Sequence, residues 1–145
     1  MAVKPIPEGY GTLTPYLVVH GANRLLEFMK QAFQAEVVFS MPAPDGTIGH
    51  AEVKIGDSML MLGEASARWP AMPAALYVYV PDCDAVYQRA LEAGAVSIME
   101  PADQFYGDRH GGVRDASGNV WWLATHKEDV PPDEIARRAA ARGSA

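Results

Sequence analysis

Apolar positions along the chain change period several times, and then the same changes come round again. Gly21 to Gln34 carries Leu25, Leu26, Phe28, Met29 and Phe33, close to i, i+3, i+4, i+8 spacing, which predicts an amphipathic helix. Asn23 or Gly21 stands where its cap belongs. Ahead of it, Thr12 to Val19 is rich in β-formers but holds Pro15, which donates nothing to a ladder and marks a strand start, an edge or a bulge. Behind it, Glu36 to Met41 reads as a strand and Pro42-Ala43-Pro44-Asp45-Gly46 as a turn. Gly49 to Ile55 alternates, with Ala51, Val53 and Ile55 on one face and His50, Glu52 and Lys54 on the other. Gly56-Asp57 then turns the chain into a strand from Ser58 to Leu62.

The second half repeats this order. Ala75 to Val80 reads as a strand, and Pro81-Asp82 opens a helix capped by Asp82 or Asp84, with Val86, Ala90 and Leu91 inward and Gly94 as its stop. Val96 to Met99 is a strand and Asp103 to Gly107 a loop. Arg109 to Arg114 and Val120 to Thr125 form a hairpin through Asp115 to Asn119. His50 aligns with His110, Val53 with Val113 and Lys54 with Arg114, a shift of 110 − 50 = 60 residues. Each half therefore reads β-α-β-β-β, within one domain spanning 1–145. Unit one covers about 12–63 and unit two about 75–126, with Glu64 to Pro73 as linker and 127–145 as a tail whose short Ala/Arg-rich helix is peripheral. A duplicated unit places any site between the copies.

Composition narrows the partners. A net charge of −6 and a pI near 5.1 argue against nucleic acid and anionic membrane. No apolar run reaches the ~20 residues that span a bilayer, and Met1 to Tyr10 lacks the apolar stretch of a signal peptide. Cys83 is the only cysteine, so no disulfide forms within the chain, which suits a cytoplasmic location. Phosphate-cradling glycine loops, Cys-x-x-Cys and the serine-hydrolase elbow are missing from the sequence.

Several stretches carry a family resemblance: Pro15-Tyr16-Leu17, Asp45-Gly46-Thr47-Ile48-Gly49-His50-Ala51-Glu52, Ile55-Gly56-Asp57-Ser58, Met61-Leu62, Tyr106-Gly107-Asp108-Arg109, Arg114-Asp115, Gly118-Asn119 and Trp122-Leu123-Ala124-Thr125-His126, continuing through Glu128-Asp129 and Asp133-Glu134-Ile135. With the doubled unit, they make the chain resemble the vicinal oxygen chelate superfamily (glyoxalase I, extradiol dioxygenases, fosfomycin resistance enzymes, bleomycin-binding proteins), and its PhnB-like branch in particular. The resemblance implies an α+β fold whose tandem units form a cupped, incomplete barrel, and a homodimer, since relatives often complete the cup across two chains. Trp69, Met72 and the linker prolines are candidates for that contact. In metal-dependent members four inward positions hold a divalent ion. By strand register they correspond here to Thr14, Leu60 or Met61, Ala75 and Trp122, none of them His, Glu or Asp. Relatives carry Glu in a Gly-x-x-x-Glu-Leu pattern where Gly118 to Leu123 has Trp122. The resemblance thus implies that the usual metal site is missing and that no cofactor is held.

The expected function is metal-independent binding of a small organic molecule, such as sequestration of a toxic or antibiotic-like compound. Tyr16, Tyr77, Tyr79 and Trp122 would stack on a flat or conjugated ligand, while His50, Glu52 and Arg109 orient it, with Tyr106 also in the ligand site. The simpler reading of these aromatics is core packing. The alternative function is a glyoxalase-like lyase, isomerase or dioxygenase with Glu52 as base beside His50; a metal held by His50, Glu52 and His110 belongs to that alternative. The structural alternatives are a Glu52 paired with Lys54 or Arg114, and Asp108–Arg109 or Asp115–Arg114 pairs fixing the hairpin. Cys83, near a helix N-terminus, is expected to have a lowered thiol pKa but no partner.

Overall fold

The computed structural model describes residues 2–143. The elements in chain order are β1 (Tyr16–Val19), α1 (Ala22–Phe33), β2 (Glu36–Pro42), β3 (Ile48–Ile55), β4 (Ser58–Glu64), β5 (Ala75–Tyr79), α2 (Cys83–Glu92), β6 (Val96–Asp103), β7 (Asp108–Arg114), β8 (Val120–His126) and α3 (Pro132–Ala141). Each unit builds one four-stranded sheet, ordered β1-β4-β3-β2 in the first and β5-β8-β7-β6 in the second. The class is α+β and neither sheet closes, as the resemblance implies. β1 and β5 lie parallel to β4 and β8, and the other pairs are antiparallel.

Two boundaries differ from the pattern. β1 starts at Tyr16 rather than Thr12, because Pro15 enters the ladder only through its carbonyl, which accepts from Met61 N at 2.9 Å. β6 runs on to Asp103 past Pro101, with register shifts on both sides of Met99. An edge strand tolerates a proline at such an irregularity.

α1 is capped by a side chain that the local motif does not show, α2 by one that it does. Gly21 is the N-cap of α1 in a left-handed conformation, φ 84°, and offers no side chain. Glu64 at the end of β4 substitutes, its carboxylate accepting from the Gly21 and Ala22 amides at 3.0 Å each. That ties α1 to its own sheet. α2 is capped by Asp82, which accepts from Ala85 N at 3.2 Å.

Period-2 alternation in the strands and the apolar stripes of α1 and α2 meet in a single core. The first sheet contributes Leu17, Val19, Ala51, Val53 and Leu62, and the second Val113, Trp121 and Leu123. α1 contributes Leu25, Phe28, Met29 and Phe33; α2 contributes Val86, Tyr87 and Ala90. Phe33 lies 4.8 Å, ring to ring, from Trp121 of the other unit. The helices therefore lie between the sheets, and each sheet turns its remaining face away from them. β2 has no such cover: all seven of its residues are exposed.

Candidate functional site

On the first sheet, alternation puts Tyr16, His50, Glu52 and Met61 on the face away from the helices, with Met61 paired to both Tyr16 and Glu52. The Tyr16 hydroxyl lies 3.0 Å from His50 Nδ1, and His50 Nε2 lies 2.9 Å from Glu52 Oε2. The other Glu52 oxygen accepts from the Tyr10 hydroxyl. A neutral ring donates from Nε2 to the carboxylate, which leaves Nδ1 to accept from Tyr16. The His50 and Glu52 side chains are each 22% exposed, so an outside molecule can reach a carboxylate already oriented by Tyr10 and His50. Phe39 flanks His50 at 6.2 Å.

The equivalent face of the second sheet is built mostly of rings. Tyr77 pairs with Trp122, and Trp122 with Gly112 across the next ladder. A Cβ on Gly112 would meet Trp122 Cζ3 at 2.4 Å, so the indole lies directly over the glycine. The first unit has the Glu52 side chain at this place. His110 stands edge-on to Trp122 at 5.6 Å and near Tyr77 at 5.7 Å. The Tyr106 hydroxyl bonds His110 Nδ1 at 2.7 Å. Burial holds His110 below its ordinary pKa, favouring the neutral ring.

Asp108 organises this face from beneath. It is 4% exposed. One carboxylate oxygen accepts from the Tyr77 and Tyr79 hydroxyls at 2.8 and 2.9 Å; the other meets His126 Nδ1 at 2.8 Å. Burial pushes its carboxyl pKa up, but His126 and the two tyrosines outweigh that and hold it below the ordinary value. His126 is correspondingly raised, by Asp108 first and then by Asp129 at 2.7 Å. Tyr77 is raised by burial, then by Tyr106 and Asp108; Tyr79 is raised mainly by its bond to Asp108. The tyrosine hydroxyls are thus committed to Asp108, and the rings face outward.

The sequence-predicted residues fall into separate groups. Tyr16, His50 and Glu52 form one; Tyr77, Tyr79, Tyr106, His110 and Trp122 form the other. No hydrogen bond or ring contact joins them among the described residues. A cleft of about 1100 Å³ does open between the units, walled by Phe33, Leu60, Leu76, Val86 and Trp121; of the candidate residues Tyr77 and Tyr79 line it along β5, whereas Tyr16, His50 and Trp122 lie outside it. Arg109 belongs to neither group. Adjacent strand residues point to opposite faces, so it turns from Asp108 and is held by Asp84 at 2.8 and 3.0 Å and by Asp103 at 3.3 Å. For the same reason the Asp108–Arg109 pair does not form.

Other expected pairings are replaced. Glu52 bonds His50 and Tyr10 rather than Lys54 or Arg114. Asp115 binds its own turn and Trp121 Nε1 rather than Arg114. Cys83 begins α2, but burial raises its thiol instead of lowering it. Asp108, His126 and Tyr10 were missed. Period-2 spacing from His110 could have found Asp108, whereas Tyr10 precedes any regular element and carries no such signal.

A divalent ion needs three or four converging N, O or S donors. Of the positions that correspond to the family's metal ligands, Met61 and Trp122 lie on different sheets, and the other two are Thr14 and Ala75. This donor set does not fit an ion. His50 and Glu52 are adjacent, but His110 is on the other sheet. Among the described residues, no group of three or more His, Cys, Asp or Glu is placed to hold a metal.

The family model of the glyoxalase/bleomycin resistance protein/dioxygenase superfamily matches residues 12–123. The chain belongs to this superfamily. An uncharacterized protein of Mycobacterium bovis is 34% identical over 142 residues, covering 90% of this chain and 93% of its own. An uncharacterized Mycobacterium tuberculosis protein matches at 34% over 90% of this chain and 84% of its own. Among solved structures, TioX from Micromonospora sp. ML1 superposes with a TM-score of 0.68 at 25% identity, covering 80% of this chain and 99% of TioX. A PhnB protein from Bacillus cereus gives 0.64 at 22%, covering 79% and 99%, a likeness of fold. No helix among the described residues of this superfamily member is long and apolar enough to cross a membrane.

Proposed function

We propose that this member of the superfamily, which we place in its PhnB-like branch, binds a small, flat organic molecule without a metal and sequesters it. The observation that carries this is the ring surface of Tyr77, Tyr79, Tyr106, His110 and Trp122. A core packs such rings inward, yet Tyr77 and Tyr79 are 43% and 62% exposed and are fixed from below by Asp108. Fixed rings lose little entropy on binding, and stacked aromatic contacts contribute about 0.5–1.5 kcal/mol each beyond buried area. Arg109 has no place in this reading, because its carboxylate partners occupy it.

The ligand cup is completed by a second copy, the first sheet of one chain facing the second sheet of the other. The exposed β2 side chains Val37, Phe39 and Met41, and Val96 and Ile98 on β6, support this, since edge strands with apolar side chains are otherwise left open to solvent. The buried, unpaired Cys83 suits the cytoplasm, where we place the protein.

Titration with a panel of planar conjugated compounds, bleomycin among them, tests this by tryptophan fluorescence. Saturable quenching that is lost in Trp122→Ala supports the proposal. Quenching that is unchanged in Trp122→Ala refutes it.

The linked Tyr10–Glu52–His50–Tyr16 chain favours a second reading, a metal-free enzyme with Glu52 as base. Glu52→Gln distinguishes the two: a carrier keeps most of its affinity, whereas an enzyme of this design loses turnover.

A further inference from the structure

The linker between the units is not slack. Ala65 N donates to Val19 O at 2.7 Å and Met72 N to Val18 O at 2.9 Å, which pins both ends of the segment to β1. Between them Ser66 N bonds Trp69 O at 2.8 Å and Trp69 N bonds Ser66 Oγ at 3.1 Å, closing a tight turn. This turn sets Trp69 beside Tyr16, Val18, Gly49 and Gly63, where a slot of about 280 Å³ opens. Gly63 forms its floor. A Cβ there would approach Gly49 O to 2.7 Å and the Tyr16 hydroxyl to 3.1 Å, so the slot is as deep as the backbone permits.

The charges around the slot are unequal. Glu64 also lines it, but both its carboxylate oxygens are engaged by the α1 N-terminus. Arg68 lies 5.4 Å from the centre of the Trp69 ring. It makes no ion pair among the described residues, so its fork of donors is open to an anion. Trp69 is 63% exposed, unlike the core indole of Trp121, and its indole N–H has no hydrogen-bond partner among the described residues.

We propose that Trp69, Tyr16 and Gly63 form a slot for one planar aromatic acid, whose ring lies between the two side chains and whose carboxylate meets Arg68. It rests on the reading of the protein as a small-molecule binder, and it names part of the ligand: an aromatic ring system of one or two fused rings bearing an acid group. The slot belongs to the first sheet and is separate from the ring surface around Trp122.

The test uses the full-length protein and 2-naphthoate, with 2-naphthylmethanol as the uncharged counterpart. The three tryptophans give three indole N–H signals in a ¹H–¹⁵N spectrum, assigned with Trp69→Phe and Trp122→Phe. The expected result is a saturable shift of the Trp69 signal by 2-naphthoate, with affinity about tenfold weaker in Trp69→Ala. Arg68→Gln should remove a preference of about threefold for the acid over the alcohol. Both residues are exposed, so neither change disturbs the core. A shift confined to Trp122 overturns the slot and leaves the binding reading standing. No shift of any indole overturns the slot as well, and equal affinity for acid and alcohol overturns the role of Arg68.

Discussion

Replacing Asp108 with Asn probes the support under the ring surface. The native carboxylate accepts from Tyr77, Tyr79 and His126 at 2.8–2.9 Å. Hydrogen bonds to a charged group are worth about 1.5–3 kcal/mol and neutral ones about 0.5–1.5, so the Tyr77 and Tyr79 bonds each lose about 1 kcal/mol, while solvent screens the exposed His126. Water replaces some of the loss, leaving a total of about 1–2 kcal/mol. For a chain of this length that lowers Tm by about 2–8 °C.

The pH dependence is the sharper signature. Asp108 has its folded pKa below the ordinary 3.8, so its contribution is present above 3.8 and disappears as pH falls through the folded value. His126 has its folded pKa above 6.5, so its contribution is full below 6.5 and disappears as pH rises through the folded value. The stability difference between native protein and Asp108→Asn should peak between 3.8 and 6.5 and shrink on both sides. Urea unfolding across this range, at one protein concentration, measures it. A difference under about 0.5 kcal/mol throughout, or one that grows below pH 3.8, refutes the assignment.

Other substitutions test the scaffold. Asp115→Ala strands the indole N–H of Trp121 and the Asn119 side-chain amide, both fully buried, and should cost about 3–5 kcal/mol in urea unfolding. Glu64→Ala removes the remote cap of α1; about 1 kcal/mol is expected, with faster amide exchange confined to the first turn of the helix. Gly107 has φ 104°, and a Cβ there would come within 2.4 Å of Glu128 O. Gly107→Ala should therefore free the segment from Lys127 onward, read as faster proteolysis of the tail, with the sheets intact.

Sequence periodicity carried the fold because both signals it depends on are strong here. Ala51 and Val53 are fully buried and His50 and Glu52 are not, as alternation requires, and the α1 stripe goes into the core. What it could not carry was which face meets what. A period of two says that Trp121 and Trp122 diverge, but not that Trp121 meets Phe33 of the other unit while Trp122 lies over Gly112. The same rule explains why the Asp108–Arg109 pair expected from the sequence does not form, Arg109 bonding Asp84 and Asp103 instead. Tyr10 and Glu64 were illegible for another reason: their partners are 42 or more residues away and belong to no local motif.

The outer faces of the two units differ at two equivalent positions in contact, Glu52 against Gly112 and Met61 against Trp122. Where unit one keeps Glu52, unit two has Gly112, and the space above that glycine is filled by Trp122. One face therefore offers an oriented carboxylate and imidazole, and the other a ring surface with a neutral histidine. Neither the Glu52 carboxylate nor the Trp122 rings are closed over by their own sheet, whose other side is committed to the helices. Folding both onto one core turns the two faces away from each other, so a single chain cannot bring the carboxylate to the rings. In the proposed dimer the pairing of two chains would supply that meeting, with two equivalent cups. Light scattering checks the assembly directly: exposed β2 changed by Phe39→Lys should shift the protein towards monomer and abolish quenching at Trp122, while a native protein that is monomeric at all concentrations rules out the composite cup.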